Sequence, residues 1–277
     1  MPAHLHRELL GDPAAPCLLL THGIYGAGTN WRGIARKVVE QRTDWSIALV
    51  DLRNHGRSAG PDAGTEPPHT LAACASDIAT LFDELPALRA LAGHSFGGKV
   101  VLAVRALAPA RLVQTWMFDA SPSARPGAET DPSNSVTRVL ALMERLPKQW
   151  AKRDDFIAAV VAEGHATPFA QWLAMNVVPE RDGFTLRLDL GAMREMLHDY
   201  YTQDLWSVAL DPALPGSVEL VIAERSDTLD AGDRARLAGG LLPHVHVHRI
   251  DAGHWLHIEA AANVVELLVR ELPTSLR

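Results

Sequence analysis

Cysteine is nearly absent: the 277 residues include only two, Cys17 and Cys74. Two thiols cannot build a disulfide framework, so a reducing compartment is expected. Long apolar runs are missing too, and none approaches the roughly 20 residues a membrane helix needs. No Lys/Arg cluster forms the footprint of a nucleic-acid binder, and the net charge is −7. The segment Met1 to Arg7 has no apolar stretch of the secretory kind. These absences lead us to expect a soluble, cytoplasmic protein with neither a membrane span nor a nucleic-acid partner. Oligomeric state is not legible. What is abundant is apolar material, 47% of the chain. That suffices for one large domain over 1–277 with a sizeable core.

Short apolar runs alternate with helical patterns. Cys17 to Thr21, Ser46 to Val50, Leu88 to Ala92, Val113 to Phe118, Val218 to Ala223 and Val245 to Ile250 have the length and composition of buried strands. Between them, Trp31 to Gln41, Leu71 to Leu85 (with Thr70 as N-cap), Gly97 to Leu107 and Asn263 to Leu272 are expected to be helices. That alternation predicts an α/β fold with a mostly parallel central sheet and helices on both faces. One region breaks it. From about 122 to 210 there is no convincing apolar strand run. It holds a Pro/Ser/Ala-rich start and amphipathic stretches at Val136 to Leu146, Asp155 to Glu163, Phe169 to Val177 and Leu190 to Tyr201. A helical insertion between two core strands, forming a lid, is expected.

The chemistry points to Gly93-His94-Ser95-Phe96-Gly97, followed at once by Gly98. This is G-x-S-x-G between an apolar run and a helical one. On such a sharp strand-to-helix turn the serine hydroxyl is pushed out of the backbone, as a nucleophile requires. Ser95 then needs a base, an orienting acid and donors for the oxyanion. His254 follows the last strand, where a loop can lean over the sheet. Thirteen histidines make a plain surface histidine a serious competing reading. Two places offer the acid, Asp119 after the strand next to Ser95 and Asp227 (with Asp230) one strand further on. Either gives the chain order Ser, Asp, His. Asp251, three residues before His254, is worse placed. Backbone N–H groups of Ile24 and Phe96 are candidates for the oxyanion hole, the first from the glycine-bearing loop His22 to Gly26. Tyr25 and Trp255 adjoin these residues and are candidate pocket walls.

Other polar groups are read as structural. His244, His246 and His248 alternate as a metal site would, but no partner cluster with ligand spacing accompanies them. A solvated strand face near the sheet edge is expected there, and no metal. Asp51, Arg53, His55 and Arg57 are read as a loop that hydrogen-bonds around the mouth of the site.

Four segments together resemble the α/β-hydrolase superfamily: Thr21-His22-Gly23-Ile24-Tyr25-Gly26, Asp51 to Ser58, Gly93 to Gly98, and Ala252-Gly253-His254-Trp255. Arg53-Asn54-His55-Gly56 and Gly253 to His257 narrow the likeness to small bacterial esterases related to α/β-hydrolase domain-containing protein eleven. The resemblance implies an α/β-hydrolase fold and a serine esterase or thioesterase that needs no cofactor. It also bears on the acid, because this group carries it in an Asp-x-x-Pro segment, matched by Asp119-Ala120-Ser121-Pro122. The group tends to have serine at the later position, matched by Ser226, with Asp227 displaced by one. The resemblance therefore favours Asp119, with Asp227 as the alternative acid.

The leading expectation is hydrolysis of a small-molecule acyl ester or thioester through an acyl-enzyme on Ser95. Perhydrolysis of the cofactor-free haloperoxidase kind, or lactone opening, would use the same three residues. A non-catalytic ligand-binding member of the fold is the reading from another class. Epoxide hydrolases and dehalogenases are disfavoured because they carry aspartate where Ser95 stands.

Overall fold

The computed structural model describes residues 2–59, 64–239 and 242–274. The first half of the chain runs β1 (Arg7–Leu10), β2 (Cys17–Thr21), α1 (Arg32–Gln41), β3 (Ser46–Val50), α2 (Leu71–Glu84), β4 (Leu88–His94), α3 (Phe96–Arg105) and β5 (Gln114–Phe118). An insertion follows: α4 (Ser135–Arg145), β6 (Gln149–Trp150), α5 (Arg153–Ala162), α6 (Thr167–Leu173), β7 (Val177–Glu180), β8 (Gly183–Leu186), α7 (Leu190–Thr202) and α8 (Trp206–Leu210). The chain then returns through β9 (Ser217–Ala223), α9 (Ala231–Ala238), β10 (Val245–Ile250), α10 (Leu256–Glu259) and α11 (Ala261–Glu271).

The main sheet has the order β1-β3-β2-β4-β5-β9-β10. All neighbouring pairs are parallel except β1 with β3. Strands β2, β3 and β5 are buried along their whole length. Their largely apolar character follows, since a parallel sheet covered by helices has no solvated face. On one face α1 and α11 close over Leu18, Leu20 and Ile47 with Ile34, Val38, Val264 and Leu268. On the other, α2 and α3 bring Ile78, Leu81, Val100 and Val104 against Leu19 and Leu91. The order reverses between β2 and β4, and a crevice opens there at the carboxyl ends of the strands.

Two expectations need correction. The antiparallel edge strand β1 was not foreseen. Its four residues, Arg-Glu-Leu-Leu, are mostly half-buried and carry two charges, so they lack the apolar signature of the inner strands. The insertion is also not purely helical. The stretch expected as a helix from Phe169 to Val177 ends at Leu173, and Val177 opens β7. Strands β7 and β8 form an antiparallel hairpin with Glu180 opposite Gly183, and β6 pairs with β8.

The insertion has no core of its own. Val139, Met143, Phe156, Leu173 and Met193 belong to the same buried cluster as Ile24, Phe96 and Val100. Two buried cations on α3 fasten its stem. Lys99 Nζ donates to the carbonyls of Ser123, Tyr200 and Gln203 at 2.7–2.8 Å. Burial pulls this ammonium down to about 8, since its three acceptors are neutral. The Arg105 guanidinium donates to five carbonyls, those of Val208, Asp211, Leu214, Pro215 and Gly216.

Candidate active site

Ser95 sits between the last residue of β4 and the first of α3, with φ 53° and ψ −118°. A non-glycine residue rarely adopts a positive φ, and such strain persists only where the surroundings enforce it. Here they do. The Ser95 N–H donates to Phe118 O at 2.9 Å, tying the turn to the neighbouring strand. The glycines allow the close approach: a Cβ on Gly93 would lie 2.1 Å from Gly97 O, and one on Gly97 would lie 2.4 Å from His22 O. Among the described residues four non-glycines have positive φ: Tyr25, Asn54, Ser95 and Asp119. All four follow directly or closely on the carboxyl ends of strands: β2, β3, β4 and β5 respectively.

His254 reaches Ser95 from the loop after β10. Its Nε2 lies 3.1 Å from Ser95 Oγ. Its Nδ1 lies 2.7 Å from Asp119 Oδ2. A carboxylate only accepts, so Nδ1 carries the proton and Nε2 presents its lone pair to the Ser95 hydroxyl. The Asp119 side chain is fully buried. Ser226 Oγ donates to its Oδ2 at 2.6 Å, and the Ala223 N–H donates to its Oδ1 at 3.2 Å. Thr228 Oγ1 stands 3.0 Å from both His254 Nδ1 and Ser226 Oγ. The family resemblance points to Ser226 only as the occupant of the later acid position, and nothing in the sequence points to Thr228. A hydroxyl two residues along a loop leaves no pattern to find.

The other acid candidates are employed elsewhere. Asp227 is exposed; its carbonyl accepts from Arg125, and Asp119, not Asp227, meets His254. Asp230 caps α9 by accepting from the Asp233 N–H. Asp251 pairs with Arg225 on the surface.

Ile24 and Phe96 are both buried. Among the described residues neither N–H has a hydrogen-bond acceptor. Phe96 is the first residue of α3, so its N–H has no intrahelical partner and sits at the positive end of the helix dipole. The Ile24 loop lies close to Ser95, since a Cβ on Gly23 would be 3.2 Å from Ser95 Cβ. Buried N–H groups are almost always paired, so two idle ones beside one strained serine are donors available to an incoming acceptor.

A second layer of neutral histidines holds these loops. His22 Nδ1 donates to Gly23 O at 2.8 Å, and its Nε2 accepts from the Leu52 N–H. His55 Nδ1 donates to Arg53 O, and its Nε2 accepts from the Tyr25 N–H at 3.3 Å. Burial pushes these imidazoles down to about 4 and about 3 respectively. His94 is likewise held well below the ordinary range, first by burial and then by the charge of His254. Its Nε2 donates to His254 O at 2.8 Å, fixing the loop that carries that ring. The Asp51 to Ser58 segment is a scaffold of this kind. Asp51 accepts from the N–H groups of Gly28 and Arg57, and Arg53 makes a two-pronged buried pair with Asp77 at 2.6 and 2.8 Å.

Two cavities meet at Ser95, sharing Ile24, Ser135, Val136 and His254 as common wall. Tyr25 and Trp255 line the larger one, with Val139 from α4 and Phe169 from α6. Tyr25 is also a strut, because its hydroxyl donates to Val136 O and its carbonyl accepts from Asn176. Trp255 packs against Trp172 and Phe169 of the insertion with its ring tilted to both.

The alternating histidines lie apart from this site, on edge strand β10. His246 Nδ1 and His248 Nε2 both meet the buried carboxylate of Glu219 on β9, at 2.9 and 2.8 Å. His244 lies outside the strand, so the three do not share the face expected of them. Among the described residues no group of three or more His, Cys, Asp or Glu is arranged to hold a metal. Nor is any described helix long and apolar enough to cross a membrane.

Residues 18–267 match the Alpha/beta hydrolase family. The chain belongs to this family. Among curated proteins it is 28% identical over 259 residues to the sn-1-specific diacylglycerol lipase ABHD11 of Xenopus laevis, covering 90% of this chain and 77% of that one. It is 35% identical over 106 residues to the Esterase YbfF of Escherichia coli (strain K12), covering 38% of this chain and 39% of that one. Among solved structures a marine microorganism esterase superposes with a TM-score of 0.82 at 21% identity, covering 98% and 100% of the two chains. That last likeness speaks to the fold.

Proposed function

We propose that this chain is a serine esterase in which Ser95 is acylated, His254 is the general base, Asp119 orients it, and the N–H groups of Ile24 and Phe96 receive the oxyanion. The observation that carries the reading is the continuous chain Asp119 Oδ2, His254 Nδ1, His254 Nε2, Ser95 Oγ at 2.7 and 3.1 Å. Ser95 Oγ attacks the ester carbonyl while its proton passes to His254 Nε2. The carbonyl oxygen gains charge and settles between the two idle N–H groups, which need no reorganisation at that moment. His254 then returns the proton to the leaving alkoxide, or thiolate, and the acyl group stays on Ser95. Water enters, loses a proton to the same nitrogen, and releases the acid. Asp119 keeps the imidazole in the productive tautomer and stabilises its charged form.

The chain is an ester hydrolase, and its relatives named as a lipase and an esterase support that class. The insertion acts as a lid on a single domain, since α4 and α6 supply cavity walls directly over Ser95. Lids of this kind tune entry and can limit turnover. A cytoplasmic location suits the two buried, unpaired cysteines. Turnover of p-nitrophenyl acetate by the wild type, set against Ser95→Ala, tests the reading. Equal rates would remove it.

A further inference from the structure

The two cavities at Ser95 differ in size and chemistry. The larger measures about 240 Å³, and its walls include Val136, Val139, Phe169 and Trp255. The smaller measures about 60 Å³ and is mixed: Phe96, Val136 and Leu197 wall it beside hydroxyls, an amide, one guanidinium and two carboxylates. Its inner groups are spoken for: Ser121 and Ser123 donate to Asp233, and Asn134 caps α4. Free donors remain among the described residues. The Tyr201 hydroxyl accepts from Asn134 at 2.8 Å and has no acceptor for its own proton. The Arg125 guanidinium is held by loop carbonyls through Nη1 alone, leaving Nη2 and Nε without partners.

An ester has two arms that leave the reacting carbon in opposite directions, so two cavities meeting at the nucleophile take one arm each. An apolar cavity of about 150 Å³ accepts benzene, so the larger space here holds an aryl group or a medium-length alkyl chain. The smaller space holds only a few non-hydrogen atoms, and its donors call for acceptor oxygens on them. The charges lining it are Arg125 against Asp131 and Asp227. With one cation facing two carboxylates, and a chain of net charge −7, an anionic short arm is repelled from the smaller space, while the larger has one cation, Arg138, in its wall.

Resting on the esterase reading above, we infer that the substrate is a neutral amphiphilic ester. One arm is a single hydrocarbon or aryl group of medium length, lying along Val139, Phe169 and Trp255. The other is short and carries a hydroxyl or ether oxygen that receives Tyr201 and Arg125. Glycerides with two long chains overfill both spaces. Thioesters of polyphosphate carriers meet the wrong charge.

The test is a kinetic panel on the full chain: 2-hydroxyethyl octanoate, octyl glycolate, octyl octanoate, dioleoylglycerol and octanoyl-coenzyme A, with p-nitrophenyl acetate as reference. The inference predicts that one of the first two exceeds the other three by tenfold or more in kcat/KM. Tyr201→Phe should erase much of that preference. Val139→Trp should move the best hydrocarbon arm from eight carbons to four or fewer. Thermal melts of both variants verify folding, and Phe169→Trp narrows the same space should Val139→Trp fail to fold. Octyl octanoate, dioleoylglycerol or octanoyl-coenzyme A matching the hydroxylated esters would overturn the inference. So would a chain-length preference unmoved by the folded variants. Turnover of p-nitrophenyl acetate in that event leaves the esterase reading standing, whereas no turnover of any ester removes both.

Discussion

Ser226 Oγ donates a 2.6 Å hydrogen bond to Asp119 Oδ2, the same oxygen that holds His254 Nδ1. A hydroxyl at the end of β9 thus supports a carboxylate delivered from the end of β5. Asp227, one residue further, is carried away from the ring and into solvent.

The arrangement makes a specific kinetic prediction. Asp119→Asn is expected to lower kcat by up to about 10⁴, because an amide leaves the imidazole in the wrong tautomer. Asp227→Asn is expected to change it less than threefold. Side-by-side kcat values for the two variants decide the matter, and a damaging Asp227 substitution would return the acid to the later position.

Stability rests partly on the buried Arg53–Asp77 pair, whose side chains are 3% and 0% exposed. Desolvation works against the Arg53 charge, but hydrogen bonds and the charge of Asp77 more than offset it, leaving its pKa raised. Asp77→Ala strands the guanidinium and is expected to cost about 3–5 kcal/mol. Urea denaturation measures this. Loss below 1 kcal/mol would show that Arg53 finds other partners.

The Glu219 cluster gives stability a defined pH window. His246 is raised above its ordinary 6.5, first by its hydrogen bond to Glu219 and despite some burial. Its contribution is complete below pH 6.5 and is lost as pH rises through the folded value. Burial pushes Glu219 up, but hydrogen bonds from His248, Ser217 and His246 outweigh it and hold its pKa below 4.5. Its contribution is complete above pH 4.5 and is lost as pH falls through the lowered value. Stability from this cluster therefore peaks between 4.5 and 6.5. Melting temperatures across pH 3–9 should show that His246→Ala removes part of the alkaline fall. A variant profile parallel to the wild type would contradict this.

Much of the fold was legible because a parallel sheet buries both faces. The five inner strands are mainly apolar runs, with single charges only at Arg89 and Glu219, and edge strand β10 was recognisable although its middle is His-Val-His-Arg. Strand β1 was invisible because an edge strand needs only a half-buried face and tolerates Arg7 and Glu8. The hairpin β7–β8 turns through Arg181-Asp182, which is no strong turn pair, and four-residue strands among amphipathic helices do not stand out. In the site, Ser95 and His254 were marked by glycine-rich turns whose geometry the chemistry requires. Residue spacing alone left Asp119 and Asp227 level, because which loop bends toward the imidazole is settled by backbone conformation; Asp119 holds a φ of 45°. The paired use of His246 and His248 was hidden because their partner, Glu219, lies 27 and 29 residues away on another strand.

The account stands most directly on Ser95 as the activated nucleophile. The measurement is reaction of the full chain with a fluorophosphonate probe, followed by peptide mapping of the adduct. One adduct per chain on Ser95 is expected. Labelling should vanish in Ser95→Ala and fall steeply in His254→Ala, with ester turnover in Ser95→Ala lowered by about 10³ or more. An adduct on any other serine, or turnover surviving in Ser95→Ala, would contradict the account.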